Sequence, residues 1–80
     1  MKETPQTTAL RRTIDRAGGI VAFHKALGMT HQAVYYWFKI GHVPFDRAAE
    51  IEARFGTPRL SLVSDKVAGL LRLPQTDDLV

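Results

Sequence analysis

The sequence predicts a small, compact all-α fold built from four to five helices. Apolar residues recur at three- and four-residue spacing in successive segments, which is the pattern of helices with one buried face. Glycine, proline and threonine stand between these segments, where they end one helix and begin the next. The chain has 80 residues and no cysteine, so we expect one modest core without disulfide bonds.

The first helix is predicted to follow a flexible N-terminal arm over residues 1–7. This arm is polar and contains Pro5. Thr7 or Thr8 is suited to begin the helix, because a threonine hydroxyl accepts a backbone N–H bond at the N-cap. One apolar face follows, formed by Leu10, Ile14 and Ala17. The pair Gly18-Gly19 ends the helix, since glycine adopts the left-handed cap conformation at low cost.

Two short helices joined by a tight turn are predicted between Ile20 and Lys39. The first covers residues 20–27, and its inner face consists of Ile20, Phe23, Ala26 and Leu27. Gly28 can adopt positive φ and turn the chain sharply. Met29 is apolar and fills the corner between the two helices. This order of residues is the pattern of a helix-turn-helix.

The second helix of this motif is predicted from His31 to Phe38, with Thr30 as its N-cap. Its inner face consists of Ala33, Val34 and Trp37. For Phe38 the sequence allows two predictions: it covers the edge of the core, or it contacts a partner. The exposed positions are His31, Gln32, Tyr35, Tyr36 and Lys39. A helix that projects from the body of a domain fits the major groove of DNA, which is roughly 12 Å wide.

A fourth helix is predicted from the first turn at Pro44, where a missing N–H is tolerated, to Gly56. Its helical spacing is carried by Phe45, Ala48, Ile51 and Phe55. Residues 8–56 are therefore predicted to form the helix-turn-helix domain.

The C-terminal segment, residues 57–73, allows two predictions. We favour a helix, and the alternative is a hairpin that pairs residues 59–63 with residues 67–71. The segment holds more apolar residues than a small core needs, so it is also the candidate dimer element. The predicted interface residues are Leu62, Val67, Leu70 and Leu71. Residues 74–80 are predicted to be a disordered tail.

The charge distribution favours a polyanionic partner. The formal net charge is +3. Between Asp15 and Asp46 there is no acidic residue, and this stretch contains Arg16, Lys25 and Lys39. Carboxylates repel phosphates, so a surface that approaches nucleic acid is expected to lack them.

The segment from Ala26 to Trp37 resembles the Leu-Gly-Val-Ser-x-x-Ala-Val-x-x-Trp signature of Cro-like phage repressors with a lambda-repressor-type helix-turn-helix. It is especially similar to YdaS-type prophage regulators. In those proteins a Gly-Gly pair precedes the motif and Val-Pro begins the next helix, as Gly18-Gly19 and Val43-Pro44 do here. The resemblance covers about residues 14–56.

The resemblance implies a role for each matching side chain. His31, Gln32 and Tyr36 are expected to face base edges. For Gln32 the chemistry agrees, because a side-chain amide pairs with N6 and N7 of adenine. The expected contacts to the DNA backbone are Thr30, Tyr35, Lys39 and His42.

Two positions depart from the family pattern. His24 stands where the family has a small alanine at a close helix crossing. Either the helices are spaced more widely there, or His24 turns toward solvent. Ile20 stands where the family often has a phosphate-binding glutamine, so that contact must come from backbone N–H groups or be lost.

The expected function is that of a sequence-specific transcriptional regulator, a Cro-like repressor that binds a palindromic operator on double-stranded DNA as a homodimer. The alternative is a helical protein-interaction module, such as an antitoxin that neutralises a partner protein, since YdaS-type regulators have been labelled antitoxins. Salt dependence distinguishes the two, because only phosphate contacts make affinity fall steeply with salt.

Other function classes find no support in the sequence. No phosphate-binding glycine loop, activated nucleophile or carboxylate pair indicates an enzyme. The histidines lack the spacing of a helical metal site, so no metal or cofactor is expected, nor is a small-molecule ligand evident. No signal peptide or membrane span is predicted, and a cytoplasmic location is expected.

Overall fold

The computed structural model describes residues 3–72, which form five α-helices and one short 3-10 turn. The elements are α1 (Pro5–Ala17), α2 (Ile20–Ala26), α3 (His31–Ile40), α4 (Phe45–Phe55), the 3-10 turn (Arg59–Ser61) and α5 (Asp65–Arg72). These residues contain no β-strand. The predicted all-α fold is therefore confirmed.

The N-terminus of α1 corrects the predicted arm over residues 1–7, because the helix already begins at Pro5. Thr4 is the N-cap: its hydroxyl accepts from the N–H of Thr7 at 3.1 Å, and its own N–H donates to the Thr7 hydroxyl at 2.9 Å. This is a capping box with threonine in place of the usual glutamate. Residues 1 and 2 of the arm lie outside the described residues.

Two long-range hydrogen bonds explain why the helix begins so early. The Thr4 hydroxyl donates to the carbonyl of Gly41 at 2.7 Å, and the Gln6 amide donates to the Asp65 carboxylate at 2.8 Å. Both bonds join the start of α1 to distant parts of the chain. Gln6 is consequently buried, at 9% exposure, although it is polar.

One apolar core lies between the helices. Its buried members are Leu10, Ile14, Phe23, Leu27, Val34, Trp37, Phe38, Val43, Ala48, Ile51, Leu62, Val63 and Ala68. The open question about Phe38 is thereby answered, since it belongs to the core. Ala26, predicted on the inner face, is exposed, whereas Phe23 of α2 and Leu27 at its C-cap are buried.

The C-terminal segment is helical, and the hairpin alternative is wrong. Ser64 caps α5 by accepting from the N–H of Val67 at 3.2 Å. Leu62 and Val63, between the 3-10 turn and α5, are 0% exposed. Leu62 was predicted at the dimer interface, but its side chain is fully occupied by the core of its own chain. The predicted disordered tail over residues 74–80 lies outside the described residues.

Two boundaries shift slightly. Pro44 is the N-cap of α4 rather than part of its first turn, and its carbonyl accepts from the N–H of Ala48 at 2.8 Å. α3 continues past Phe38 to Ile40 and ends at Gly41, which has φ of 90°. Within residues 3–72, no helix has both the length and the apolar character that crossing a bilayer requires.

Candidate nucleic-acid interface

The turn between α2 and α3 has the backbone geometry of a Schellman motif. Gly28 has φ of 67°, its N–H donates to the carbonyl of Lys25 at 3.1 Å, and the N–H of Met29 donates to the carbonyl of His24 at 3.0 Å. Met29 is partly buried and packs against the core. The predicted roles of Gly28 and Met29 are confirmed, and together they fix how α3 leaves the turn.

His24 fastens this turn from the side. Its Nδ1 lies 2.8 Å from the carbonyl oxygen of Met29. A carbonyl only accepts, so Nδ1 must carry the hydrogen in this bond. Both backbone groups of Met29 are thus bonded to His24, one to its carbonyl and one to its ring. One alternative from the sequence was that His24 turns toward solvent. The side chain is instead half-buried and bonded to the turn.

The His24 ring also connects the turn with the outer surface of α3. Its centroid lies 5.8 Å from that of His31. The centroids of the His31 and Tyr35 rings lie 5.6 Å apart, and the two rings are nearly perpendicular. These three rings form a row that runs from α2 onto the exposed face of α3.

α3 is held down by one face and exposed on the other. Thr30 caps it, as predicted, by accepting from the N–H of Ala33 at 3.4 Å. Val34, Trp37 and Phe38 are buried beneath it. The side chains predicted as exposed are all exposed: His31, Gln32, Tyr35, Tyr36 and Lys39. We name this set the outer face of α3.

His42 lies apart from the outer face. It is half-buried beyond the C-terminus of α3, in a cleft that it shares with Asp65 and Ser64. A carboxylate in the same cleft repels phosphate. Among the side chains predicted to contact the DNA backbone, His42 therefore has the least favourable position.

A shallow apolar groove runs beside the outer face. It lies against Ile14, Ile20, Tyr35 and Phe38, and Arg11 is at its edge. The Arg11 guanidinium lies 5.3 Å from the centre of the Phe38 ring, and it also pairs with Glu3 at 3.5 Å. Sequence reasoning missed Arg11, because no local pattern indicates that α1 places a cation next to α3.

Charge is segregated between the two halves of the domain. α2, the turn and α3 contain no acidic residue. On α4, Glu50 binds Arg47 at 2.9 Å and Arg54 at 3.5 Å, and Glu52 binds Arg59 at 2.6 Å. Lys25 and Lys39 therefore have no carboxylate on their own helices, whereas Glu50 and Glu52 of α4 are matched by arginines.

Among residues 3–72, no group of three histidine, aspartate or glutamate side chains lies close enough together to hold a metal ion. Comparison with known proteins finds no matching family model, no matching curated protein and no matching solved structure. The interface must therefore be judged from its own geometry.

Proposed function

We propose that this protein is a sequence-specific DNA-binding regulator that places α3 in the major groove. The observation that carries the proposal is the outer face of α3, a continuous polar and aromatic surface without a carboxylate on a helix anchored from below by Val34, Trp37 and Phe38. The helix is of the right diameter, since an α-helix with side chains measures roughly 10–12 Å and the groove roughly 12 Å.

The centre of the outer face is the position best suited to read bases. Successive helical residues are rotated by about 100°, so Gln32 and Lys39 lie nearly in line at the middle of the exposed arc. His31 and Tyr36 lie on either side of Gln32. We assign these three, Gln32 with its flanking His31 and Tyr36, to base edges. Gln32 has the clearest target, because its amide can pair with adenine in two hydrogen bonds.

The contacts to phosphates are assigned to the remaining side chains on and beside the outer face. Lys39 supplies a charge, and the Tyr35 hydroxyl supplies a hydrogen-bond donor. The Thr30 hydroxyl accepts from the backbone as an N-cap, so its own hydrogen remains available to a phosphate. Arg11, at the edge of the neighbouring groove, is paired with Glu3 and is not assigned to this group, in which His42 is the least favourable residue.

A single helix covers only a few base pairs, so we propose that two copies bind a palindromic operator, with half-sites about 34 Å apart. The dimer surface is assigned to α5 and its surroundings. Leu70 is 60% exposed and Leu71 is 43% exposed. Leu71 also lines a groove with Phe45 and Leu60, which extends the apolar surface. Val67 is only partly available, since it packs against the core.

The biological role that fits this mode of binding is repression, by occupation of a promoter in the cytoplasm. We propose that the chain is a Cro-like regulator of the YdaS type, as its motif from Ala26 to Trp37 suggests. An operator-bound dimer excludes the polymerase without any further chemistry, so the role needs no enzyme activity and no cofactor.

The test is DNA affinity as a function of salt for two matched lysine variants. Lys39→Ala removes a charge from the outer face of α3, and Lys66→Ala removes an exposed charge from α5. The slope of log affinity against log salt is negative, and each lost phosphate contact reduces its magnitude by about 0.9. We expect this change for Lys39→Ala and none for Lys66→Ala. Equal slopes for both variants would overturn the proposed binding face.

The second candidate function is a protein-interaction module that neutralises a partner protein. It is favoured by the exposure of Tyr35 and Tyr36, at 51% and 56%, beside an apolar groove. Tyrosine is enriched in protein interfaces. This function predicts weak salt dependence and no enrichment of any DNA sequence.

A further inference from the structure

Two arginines of α1 differ from the other arginines near them. Arg11, Arg47, Arg54 and Arg59 each pair with a glutamate. Arg12 and Arg16 form no ion pair with any of residues 3–72, although they follow each other at i, i+4 on one face of α1. Like charges at this spacing repel weakly, by about 0.2–0.5 kcal/mol, and a bound anion relieves this repulsion.

Both arginines line a cleft between α1 and the segment that follows α4. Its volume is about 470 Å³. Phe55 and Pro58 provide apolar surface in this cleft, and Thr57 provides a hydroxyl. Among residues 3–72, no carboxylate lines it. The cleft therefore combines two positive charges with an apolar wall formed by Phe55 and Pro58.

A buried chain of hydrogen bonds holds Arg16 in place. Its Nη2 donates to the Thr57 hydroxyl at 2.6 Å, and that hydroxyl contacts the Thr13 hydroxyl at 2.5 Å. Thr13 donates its only hydroxyl hydrogen to the carbonyl of Ala9 at 2.8 Å. Thr57 must therefore donate to Thr13 and accept from Arg16, so the direction of the whole chain is determined.

The chain anchors one side of the Arg16 guanidinium. Thr13 and Thr57 are buried, at 0% and 5% exposure, so the anchor belongs to the interior. A guanidinium has five N–H donors in a rigid plane, and this bond uses only one of them. The remaining donors are available to a ligand. An arginine held in advance loses less conformational freedom when a ligand binds.

We propose that this cleft binds a phosphate group, with Arg16 as the fixed donor and Arg12 as the second charge. Two adjacent guanidinium groups match the charge of a phosphate monoester and form short charge-assisted hydrogen bonds to its oxygens. Phe55 and Pro58 then contact the organic part of the ligand. The proposal does not depend on DNA binding by α3.

The position of the cleft favours a free phosphorylated compound over the DNA backbone. Arg11 and Ile14 on one side of α1 line the groove beside α3, whereas Ala9, Arg12 and Arg16 line the cleft on the other side. The cleft and the groove beside α3 therefore lie on different sides of α1, and the cleft does not open onto the proposed DNA-binding face.

The first experiment is a titration with inorganic phosphate that is monitored by NMR chemical shifts. The ionic strength is kept constant with chloride as the balancing anion. We compare the wild type, Arg12→Gln, Arg16→Gln and the control Arg54→Gln, which removes an arginine outside the cleft. Loss of a charged hydrogen-bond partner weakens binding by about tenfold or more. We expect this loss for the two cleft variants only, with shifts centred on Arg16 and Thr57.

A subtler variant tests the anchor. Thr57→Val keeps the shape of the side chain and both arginines but removes the acceptor for Arg16. We expect weaker phosphate binding in this variant, while Arg54→Gln binds as the wild type does. Wild-type affinity in Thr57→Val would overturn the role of the hydrogen-bond chain.

The source of the phosphate is tested with DNA. If the cleft binds a free compound, the double variant Arg12→Gln/Arg16→Gln should bind DNA with the same salt dependence as the wild type. A reduction of about 1.8 in the magnitude of this slope corresponds to the loss of two phosphate contacts. That result would show that the arginines bind the DNA backbone and would overturn the assignment to a free compound. Absence of saturable phosphate binding, or equal binding by the wild type and both cleft variants, would overturn the site itself.

Discussion

The outer face of α3 and the exposed face of α4 are both polar, yet their charges are arranged in opposite ways. On α4, Glu50 is bound by Arg47 and Arg54, so its charge is largely neutralised within the same helix. On α3, Lys39 forms no ion pair with any of residues 3–72. A surface whose charges are neutralised internally has little to offer a charged partner, whereas the outer face of α3 keeps its donors available.

The two faces of α3 itself provide the largest expected contrast. Trp37 is 3% exposed and Tyr36, its neighbour, is 56% exposed. We expect Trp37→Ala to lower the free energy of unfolding by about 3–5 kcal/mol, because it empties the core. Tyr36→Ala should change it by less than about 0.5 kcal/mol and should weaken DNA binding instead. Urea denaturation and DNA titration of both variants measure this contrast, which a similar loss of stability in both would contradict.

The next largest effect is expected at the proposed dimer surface. Leu70→Asp with Leu71→Asp places charges on exposed apolar positions of α5. Joining two half-site contacts raises operator affinity by about 100-fold or more, so this gain should disappear while binding to a single half-site persists. Titration of full and half operators measures both quantities. Cooperative binding of the full operator by the double variant would exclude α5 as the interface.

At the centre of the outer face, Gln32→Ala should reduce discrimination at one base position. The expected loss is about 1–3 kcal/mol, because the amide no longer pairs with its base. Affinity for unrelated DNA should stay nearly constant, since phosphate contacts do not involve this residue. Competition between operators that differ at single positions measures the effect. If affinity for every sequence falls equally, Gln32 does not read a base.

A smaller effect is expected for His24→Ala, which removes the bond from the ring to the Met29 carbonyl. The loss of one hydrogen bond costs about 0.5–1.5 kcal/mol of stability. Because the turn also orients α3, operator affinity should fall more than affinity for unrelated DNA. Lys25→Ala, on the same helix and exposed, is the control. Equal losses on both kinds of DNA would contradict the orienting role.

The smallest effect is expected on α4. Arg54→Ala breaks an exposed pair with Glu50 at 3.5 Å. Such i, i+4 pairs contribute about 0.3–0.5 kcal/mol, so stability should hardly change and DNA affinity should not change at all. Thermal unfolding and DNA titration together check this. A marked loss of DNA affinity would mean that α4 also belongs to the binding surface.

The features that the sequence predicted correctly are those with local causes. Gly28 ends α2 and Thr30 begins α3 through bonds to residues only a few positions away. The buried places of Val34 and Trp37 follow from helical spacing. Such signals depend on neighbouring residues, and they are therefore visible in the sequence.

The features that sequence reasoning missed depend on distant contacts. The early start of α1 is stabilised by Gly41 and Asp65, far along the chain. Leu62 is buried by tertiary packing, and its apolar character alone fits an interface equally well. The bond from His24 to Met29 depends on the exact path of the turn. No local pattern encodes these contacts.

Selection of bound fragments from random DNA tests the central claim most directly. If α3 reads the major groove in a dimer, the wild type should enrich one imperfect palindrome whose half-sites lie about 34 Å apart. Gln32→Ala should lose the preference at one position in each half-site. Recovery of no common sequence by the wild type would contradict the claim that this protein is a sequence-specific DNA-binding regulator.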